Sequence, residues 1–484
     1  DRPGKPPRPN RPDQSGKPPI RIVCGSGRIQ QGACVCPHGQ RLRRTGVRRF
    51  DCDGTIAMPP ARDLPPVVSG PQAPPSGPVL AAGAGRSVPP RGSIPLAPAI
   101  PPSGPIPAAP HAQIAAAGGE VMPREVIITI EANAPAGAED DMARTHNWVI
   151  LDRMALPLLG VRAMRCRLPA RRSIQTAVAR ARSDQRTLNA QGNYIYRPSQ
   201  GTSSSTSSDM QYTLVKLEIA DAHTLSTGRG AKIAIIDTAV DAKHPDFAGA
   251  AVESFDALGG ARPEPGTHGT AVAGIIAARG TVRGVAPAAT LMSIRAFPSD
   301  QSREPQMTTS FVLLKAMEWS IANGARVMNM SLAGPRDPLV EKAVAAATAK
   351  GVVVVAAAGN NGDKAPPAYP AAYRDVIAVT AIDARDQLYA RANHGRYIAV
   401  AAPGVDVLAL ARGQGHDLQS GTSFAAAHVS GIVALLLERS PGLAVDGVRQ
   451  ALVESAVDRG DPGRDDAFGA GRINAAAALR WVAK

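Results

Sequence analysis

Beyond about Met210 the chain alternates short apolar runs with helical patterns. The runs AKIAIID, ATLMSIRAF, ARVMNMSL, GVVVVAAAGN and DVIAVTAI show little polar alternation, as strands of a parallel sheet covered on both faces do. Between and after them, Phe311–Ala322, Pro338–Ala349 and Ser423–Glu438 read as helices, the last apolar almost all round and therefore buried. Together they predict a three-layer α/β domain with a mostly parallel sheet over residues 210–484. A smaller pattern precedes it. EVIITI is a β-branched strand, Ala138–Asn147 a polar helix-compatible run, Val161–Leu168 a second strand, Ser173–Leu188 a helix, and NYIYRP an extended close. This predicts a β-α-β-α-β unit, a small α+β domain over residues 123–200. GTSSSTSSD then makes residues 201–209 a low-complexity joint of the kind proteases cut.

The first quarter of the chain follows neither period. Residues 1–20 are rich in Pro and basic residues and read as a disordered basic tail. Residues 21–56 hold Cys24, Cys34, Cys36 and Cys52 with almost no apolar residues for a core. Cross-links must then hold such a module together. Four thiolates could also hold zinc, but the closest pair is CVC and not CxxC, so two disulfides in an oxidising compartment are expected, with three pairings open. Cys166 is left over, as a free thiol. Residues 57–122 form a Pro/Ala/Gly-rich linker, with 17 prolines between Pro59 and Pro110, and read as an extended spacer.

A formal charge of +14 suggests an anionic partner, but its placement narrows that reading. Residues 1–52 carry 12 Lys and Arg against 3 Asp and Glu, a net of +9, whereas residues 209–484 carry 27 of each. Electrostatic contact with acidic envelope surfaces is thus an expectation for the N-terminal region, and nucleic acid is not expected as a partner. No stretch has the 18 or so consecutive apolar residues a membrane helix needs. The opening on Asp1 is what a removed export signal leaves, and equally what an arbitrary starting point leaves. With the cysteines, the expectation is a secreted, periplasmic or cell-envelope protein.

The candidate chemistry lies in the α/β domain. Asp237 ends the strand AKIAIID, where functional groups of parallel sheets gather, although a turn or cap role would also suit it. His268 lies in GTHGTAVAGIIA, where small neighbours let another backbone approach the ring. Ser423, in QSGTSFAAAHVSG, could be the cap of its helix. It could instead be a nucleophile exposed by the tight Gly421-Thr422 approach, given an imidazole to take its proton and a carboxylate to orient that imidazole. His428 is five residues along the helix, about 140° round, and faces away from Ser423. Asn360, in VVVVAAAGNNG, could donate to an oxyanion or serve as a turn residue, as its neighbour Asn361 could.

Taken together, IIDTAVDAKHPDF, GTHGTAVAGIIA, AAAGNNG and SGTSFAAAHVSG, in the order Asp, His, Asn, Ser and at intervals of 31, 92 and 63 residues, resemble the subtilisin-like serine proteases (subtilases, peptidase family S8). GVAPAATLMSIRAF, VMNMSLAG and FGAGRINAAAAL extend the resemblance over Gln211–Leu479. It implies a triad of Asp237, His268 and Ser423, an oxyanion hole at Asn360, and a substrate-binding strand at Ser331, Leu332, Ala333 and Gly334. It also implies that the unit ending AQGNYIYRPSQ is a propeptide, a chaperone and then an intramolecular inhibitor, cut off near Pro198–Met210. The function implied is a self-processing serine endopeptidase acting on polypeptides. The alternative is an envelope-associated binding or adhesive protein whose protease domain serves mainly its own maturation.

Three positions depart from the family pattern: Ala239 and Ala333 where Gly is usual, and Ala427 where Pro is usual. The methyl of Ala333 on the cleft wall predicts a preference for small or slender side chains near the scissile bond. Many subtilisins hold calcium in a loop after the histidine helix. Here that loop, AARGTVRGVAPAA, is short and lacks carboxylates, so the site is expected to be absent and no cofactor required, although Asp246 matches a position that can ligate the ion.

Overall fold

The computed structural model describes residues 119–199, 211–260, 264–300, 302 and 304–483, together with short strands between Val23 and Cys52. The basic tail, the linker up to residue 118, the cysteine pairing and the joint at 201–209 lie outside the described residues. The chain divides into a unit Asp1–Ile106 and a unit Pro107–Lys484. In the first, Val23–Cys24, Arg49–Cys52 and Leu42–Gly46 form a three-stranded sheet, and Arg28–Gln30 pairs with Ala33–Val35.

The second unit is built on seven strands in the spatial order Val252–Asp256, Thr290–Arg295, Lys232–Asp237, Val327–Met330, Val353–Ala357, Val376–Ile382 and Ile398–Pro403. Every pairing among them is parallel. Alternate residues serve opposite faces. Ile233 and Ile235 join the core under the helices Thr267–Ala277 and Thr422–Arg439, whereas Ala234 and Ile236 join that under Ser310–Ala322 and Pro338–Ala349. Burial on both faces is the reason these strands lack polar alternation. The expected three-layer α/β domain is therefore present. Among the described residues no helix is long and apolar enough to cross a membrane.

The smaller unit differs from the expected β-α-β-α-β order by one strand. It runs Val121–Glu131, Ala138–His146, Val149–Leu156, Val161–Arg167, Ile174–Arg182 and Asn189–Pro198, hence β-α-β-β-α-β with an antiparallel sheet. Val149–Leu156 escapes a hydropathy reading because it is the outer strand of that sheet and mostly part-exposed, with Asp152 and Arg153 in its middle. The sheet is two-sided. Val126, Ile128 and Ile130 face its own helices, whereas Ile127, Leu156 and Ala163 join the core of the larger domain beside Phe311 and Leu314. The Leu158 N–H donates to Glu318 Oε2 at 3.0 Å, and the Arg165 guanidinium lies 5.6 Å over the Phe311 ring. The small unit is thus seated on the helix Ser310–Ala322, with its last strand directed along the surface of the larger domain.

Candidate active site

The four residues singled out from sequence fall into two pairs at the carboxyl end of the parallel sheet, Asp237 with His268 and Ser423 with Asn360, and the His268 ring lies 5.6 Å from that of Phe424, the neighbour of Ser423. Asp237 is the last residue of its strand, and its two carboxylate oxygens each lie 2.8 Å from His268 Nδ1. Thr238 N–H also donates to Asp237 Oδ1, at 2.7 Å. His268 opens the helix Thr267–Ala277 and is buried, as is Asp237. The small residues around the histidine have a steric cause: a Cβ on Gly269 would sit 2.2 Å from the Thr238 carbonyl oxygen. Glycine there lets the histidine helix close on the aspartate strand. His268 Nε2 has no hydrogen-bond partner among the described residues, so it makes no bond to Ser423 Oγ, which turns to the Ser199 carbonyl instead.

Ser423 does not cap its helix. Gly421 occupies the cap position without a side-chain bond, and Ser423 is the second helical residue. Its Oγ donates instead to the Ser199 carbonyl oxygen at 2.5 Å. The same oxygen accepts from Asn360 Nδ2 at 2.8 Å. Asn360 can present its NH₂ only in this direction, because its Oδ1 accepts from Thr422 N–H at 3.1 Å and from Thr422 Oγ1 at 2.9 Å. The neighbouring Asn361 takes the turn role, its N–H donating to Asn393 Oδ1 at 2.8 Å. His428 is fully buried with Nδ1 at 2.8 Å from the Phe424 carbonyl oxygen, and burial pushes its imidazole down to about 4. It stays neutral at physiological pH and takes no part in the cluster.

Ser199 ends an extended segment laid through the cleft. Pro198 pairs with Leu332 and Arg197 with Ala333, while on the other side Tyr196 pairs with Thr308 and Ile195 with Thr309, all antiparallel. Ser199 N–H donates to the Ser331 carbonyl at 3.1 Å. The expected substrate-binding residues Ser331, Leu332 and Ala333 therefore hold this segment as an added strand. Gly334 plays a different part: a Cβ on it would lie 2.3 Å from the ring of Tyr196, which is fully buried beside it.

Several participants could not be found by motif alone. Thr422 orients Asn360. Ser430 Oγ donates to Asn329 Oδ1, Asn329 Nδ2 to Ser331 Oγ, and Ser331 Oγ to the Ser423 carbonyl, at 2.9, 2.9 and 3.1 Å. This chain of bonds fixes the strand at Ser331 against the serine helix. Asp337 is buried at the start of the helix Pro338–Ala349 and accepts from Leu339 and Val340 N–H, from Ser310 Oγ, and from Gln191 Nε2 of the small unit at 2.7 Å. Burial raises its carboxyl above the usual range against the pull of those donors.

The position that could ligate calcium is occupied by other chemistry. Asp246 Oδ2 accepts from Val282 N–H at 2.8 Å and lies 3.0 Å from His416 Nε2, and a Cβ on Gly280 would meet Asp246 Oδ1 at 2.2 Å. These contacts surround Asp246 Oδ2 with nitrogen groups, whereas a hard cation takes several oxygen ligands. Among the described residues no group of three or more His, Cys, Asp or Glu is placed to hold a metal ion.

A serine hydroxyl and an amide donor meeting one carbonyl oxygen, with an aspartate-bound imidazole at the end of a parallel sheet, define an α/β serine-hydrolase site of the subtilisin type. Residues 228–471 match the model of the subtilase family. The chain belongs to that family, the subtilisin-like serine proteases. It is 37% identical over 260 residues to subtilisin DY of Bacillus licheniformis, covering 52% of this chain and 92% of that protein. It is 35% identical over 281 residues to thermitase of Thermoactinomyces vulgaris, covering 57% and 97%. The minor extracellular protease Epr of Bacillus subtilis is 36% identical over 251 residues, which cover 51% of this chain but only 38% of Epr. The crystal structure of fervidolysin from Fervidobacterium pennivorans, described as a keratinolytic enzyme related to subtilisin, shares the fold with a TM-score of 0.65. It has 24% identity, over 75% of this chain and 61% of that one.

Proposed function

We propose that the protein is a serine endopeptidase made as a zymogen, and that its first substrate is its own Ser199–Gln200 bond. The observation that carries this reading is the Ser199 carbonyl oxygen held between Ser423 Oγ at 2.5 Å and Asn360 Nδ2 at 2.8 Å. In the reaction, Ser423 Oγ attacks the Ser199 carbonyl carbon while its proton passes to His268 Nε2. Asp237 holds Nδ1–H and stabilises the imidazolium. The developing oxyanion keeps the Asn360 donor and gains the Ser423 N–H. Collapse of the intermediate breaks the bond to the Gln200 backbone nitrogen, which takes the proton from His268. Water then releases Ser199 as a new carboxyl terminus.

The unit 123–200 is, on this reading, the propeptide. It stays bound after the cut through its strand pairing and the Gln191–Asp337 bond, and blocks the cleft. Once it leaves, the cleft takes polypeptide substrates in the same extended form. The cysteine-rich module 21–56, cross-linked by two disulfides, and the basic tail and linker would accompany export, with the basic prefix available for acidic surfaces. The reading includes no calcium at the Asp246 loop. Adding a chelator should therefore shift the melting temperature of the processed enzyme by less than about 2 °C, and a fall of about 10 °C would show that calcium supports it.

The hydrolase assignment is tested by treating the wild-type chain with a serine-directed fluorophosphonate and mapping the adduct. One adduct on Ser423 is expected. A processed chain freed of the small unit that takes up no label, or takes it on another serine, would overturn the assignment.

A further inference from the structure

The cleft next to Ser199 encloses about 590 Å³. Its lining includes Ala333, Gly334, Asn360, Asn361, Ala368 and Tyr369 and four charged residues, Glu120, Arg197, Arg336 and Arg391. Three of the four are engaged. Glu120 and Arg197, both from the small unit, pair with each other at 2.6 Å, and Arg336 pairs with Glu341 at 3.0 Å. Arg391 is exposed, and its guanidinium has no carboxylate partner among the described residues.

It shares the cleft with Ser199, and its backbone is fixed there. Gly362 N–H donates to the Arg391 carbonyl at 2.9 Å, and Asn393 N–H to the Gly359 carbonyl at 3.0 Å. The segment 391–393 is thereby tied to the loop that carries Asn360. The residue now in the cleft makes poor use of this setting. The Ser199 side chain is short, and its Oγ is buried without a hydrogen-bond partner. When the small unit departs, Glu120 and Arg197 leave with it. The cleft then retains two guanidinium groups and no carboxylate in its lining.

We propose that Arg391 is a specificity-determining residue, and that it favours substrates with an acidic side chain, glutamate above all, at the residue supplying the scissile carbonyl. The inference rests on the proposed endopeptidase reading and names the substrate class of that site. Glutamate carries its charge on a slender stem, which passes the Ala333 methyl at the cleft wall. A lysine there would meet a cation with no carboxylate to balance it. Because the pair forms near the surface, its effect is modest and screened by salt.

The test uses the wild-type chain after its own processing and after removal of the small unit. Its substrates are chromogenic amides of the heptapeptide Asn193–Ser199 in which the last residue is Ser, Gln, Glu or Lys. We expect kcat/KM for Ser199→Glu to exceed that for Ser199→Gln by about fivefold and that for Ser199→Lys by at least about tenfold, with both ratios shrinking at about 0.5 M salt. Arg391→Ala should bring Glu and Gln within about twofold of each other, and Arg391→Glu should reverse the order of Glu and Lys. Equal cleavage of the Glu and Lys peptides by the wild type, or unchanged ratios in Arg391→Ala, overturns the inference while leaving the endopeptidase intact. Failure to cleave any of the four peptides would count against the endopeptidase reading itself.

Discussion

Replacing Ser423 by alanine should lower peptide hydrolysis by about 10⁶-fold, the scale that loss of the nucleophile costs in subtilisin. The deletion removes one oxygen and leaves the site otherwise built. Asn360 remains oriented by Thr422, Asp237 remains against His268, and the Ser331 hydroxyl still has the backbone carbonyl of residue 423 to bond. Folding should therefore be unaffected, and the melting temperature should stay close to that of the uncut wild type. The variant should also remain joined at Ser199–Gln200, since water alone does not cleave that bond on the timescale of preparation. Initial rates on a peptide amide, together with a melting curve, check both halves. Hydrolysis reduced by only about tenfold, in a protein free of wild-type contamination, would show that another group attacks the carbonyl.

Asn360→Ala should cost about 10²–10³ in kcat with KM little changed, or about 2.7–4 kcal/mol of transition-state stabilisation. The reason is differential. In the ground state the Asn360 amide donates to a neutral carbonyl, a bond that substrate can partly recover elsewhere, whereas in the tetrahedral intermediate it meets a full negative charge in a buried site. The substitution also leaves the Thr422 hydroxyl without the acceptor it now has. Part of the loss can therefore come from a shifted serine helix. Asn360→Gln separates the two contributions, since it keeps the amide but displaces it by one methylene. A steady-state series in which KM rises and kcat holds would place Asn360 in binding and not in charge stabilisation.

The parallel sheet was legible because its strands are buried on both faces and so read as unbroken apolar runs. The alternation of Ile233, Ala234, Ile235 and Ile236 between two cores shows why no polar residue interrupts them. The candidate residues Asp237, His268, Asn360 and Ser423 drew attention through the order and spacing of their segments, and the small residues beside His268 have a steric cause, since Thr238 fills the space a Cβ on Gly269 would take. Other features are set by long-range contact and carry no local sign. The strand Val149–Leu156 was missed because half-exposed outer-strand residues need not alternate. The interface bonds from Gln191 to Asp337 and from Leu158 to Glu318 join positions 146 and 160 residues apart. Thr422 gives no signal of its own, since a threonine beside a serine in SGTS is ordinary until Asn360 is found bonded to it. Composition pointed to a candidate joint for processing but not to the bond proposed here. The joint at 201–209 drew attention by its serines, whereas the carbonyl delivered to Ser423 belongs to Ser199, at the end of the strand just before it.

That placement is the central claim, and it is tested most directly by reading the amino terminus of the processed catalytic chain by mass spectrometry and weighing the fragment it leaves. The account predicts a catalytic chain beginning Gln200-Gly201-Thr202, its glutamine free or cyclised to pyroglutamate, a companion fragment ending at Ser199, and neither product from Ser423→Ala. A catalytic chain whose first amino terminus falls within 203–211, or the same cut appearing in purified Ser423→Ala, would contradict it.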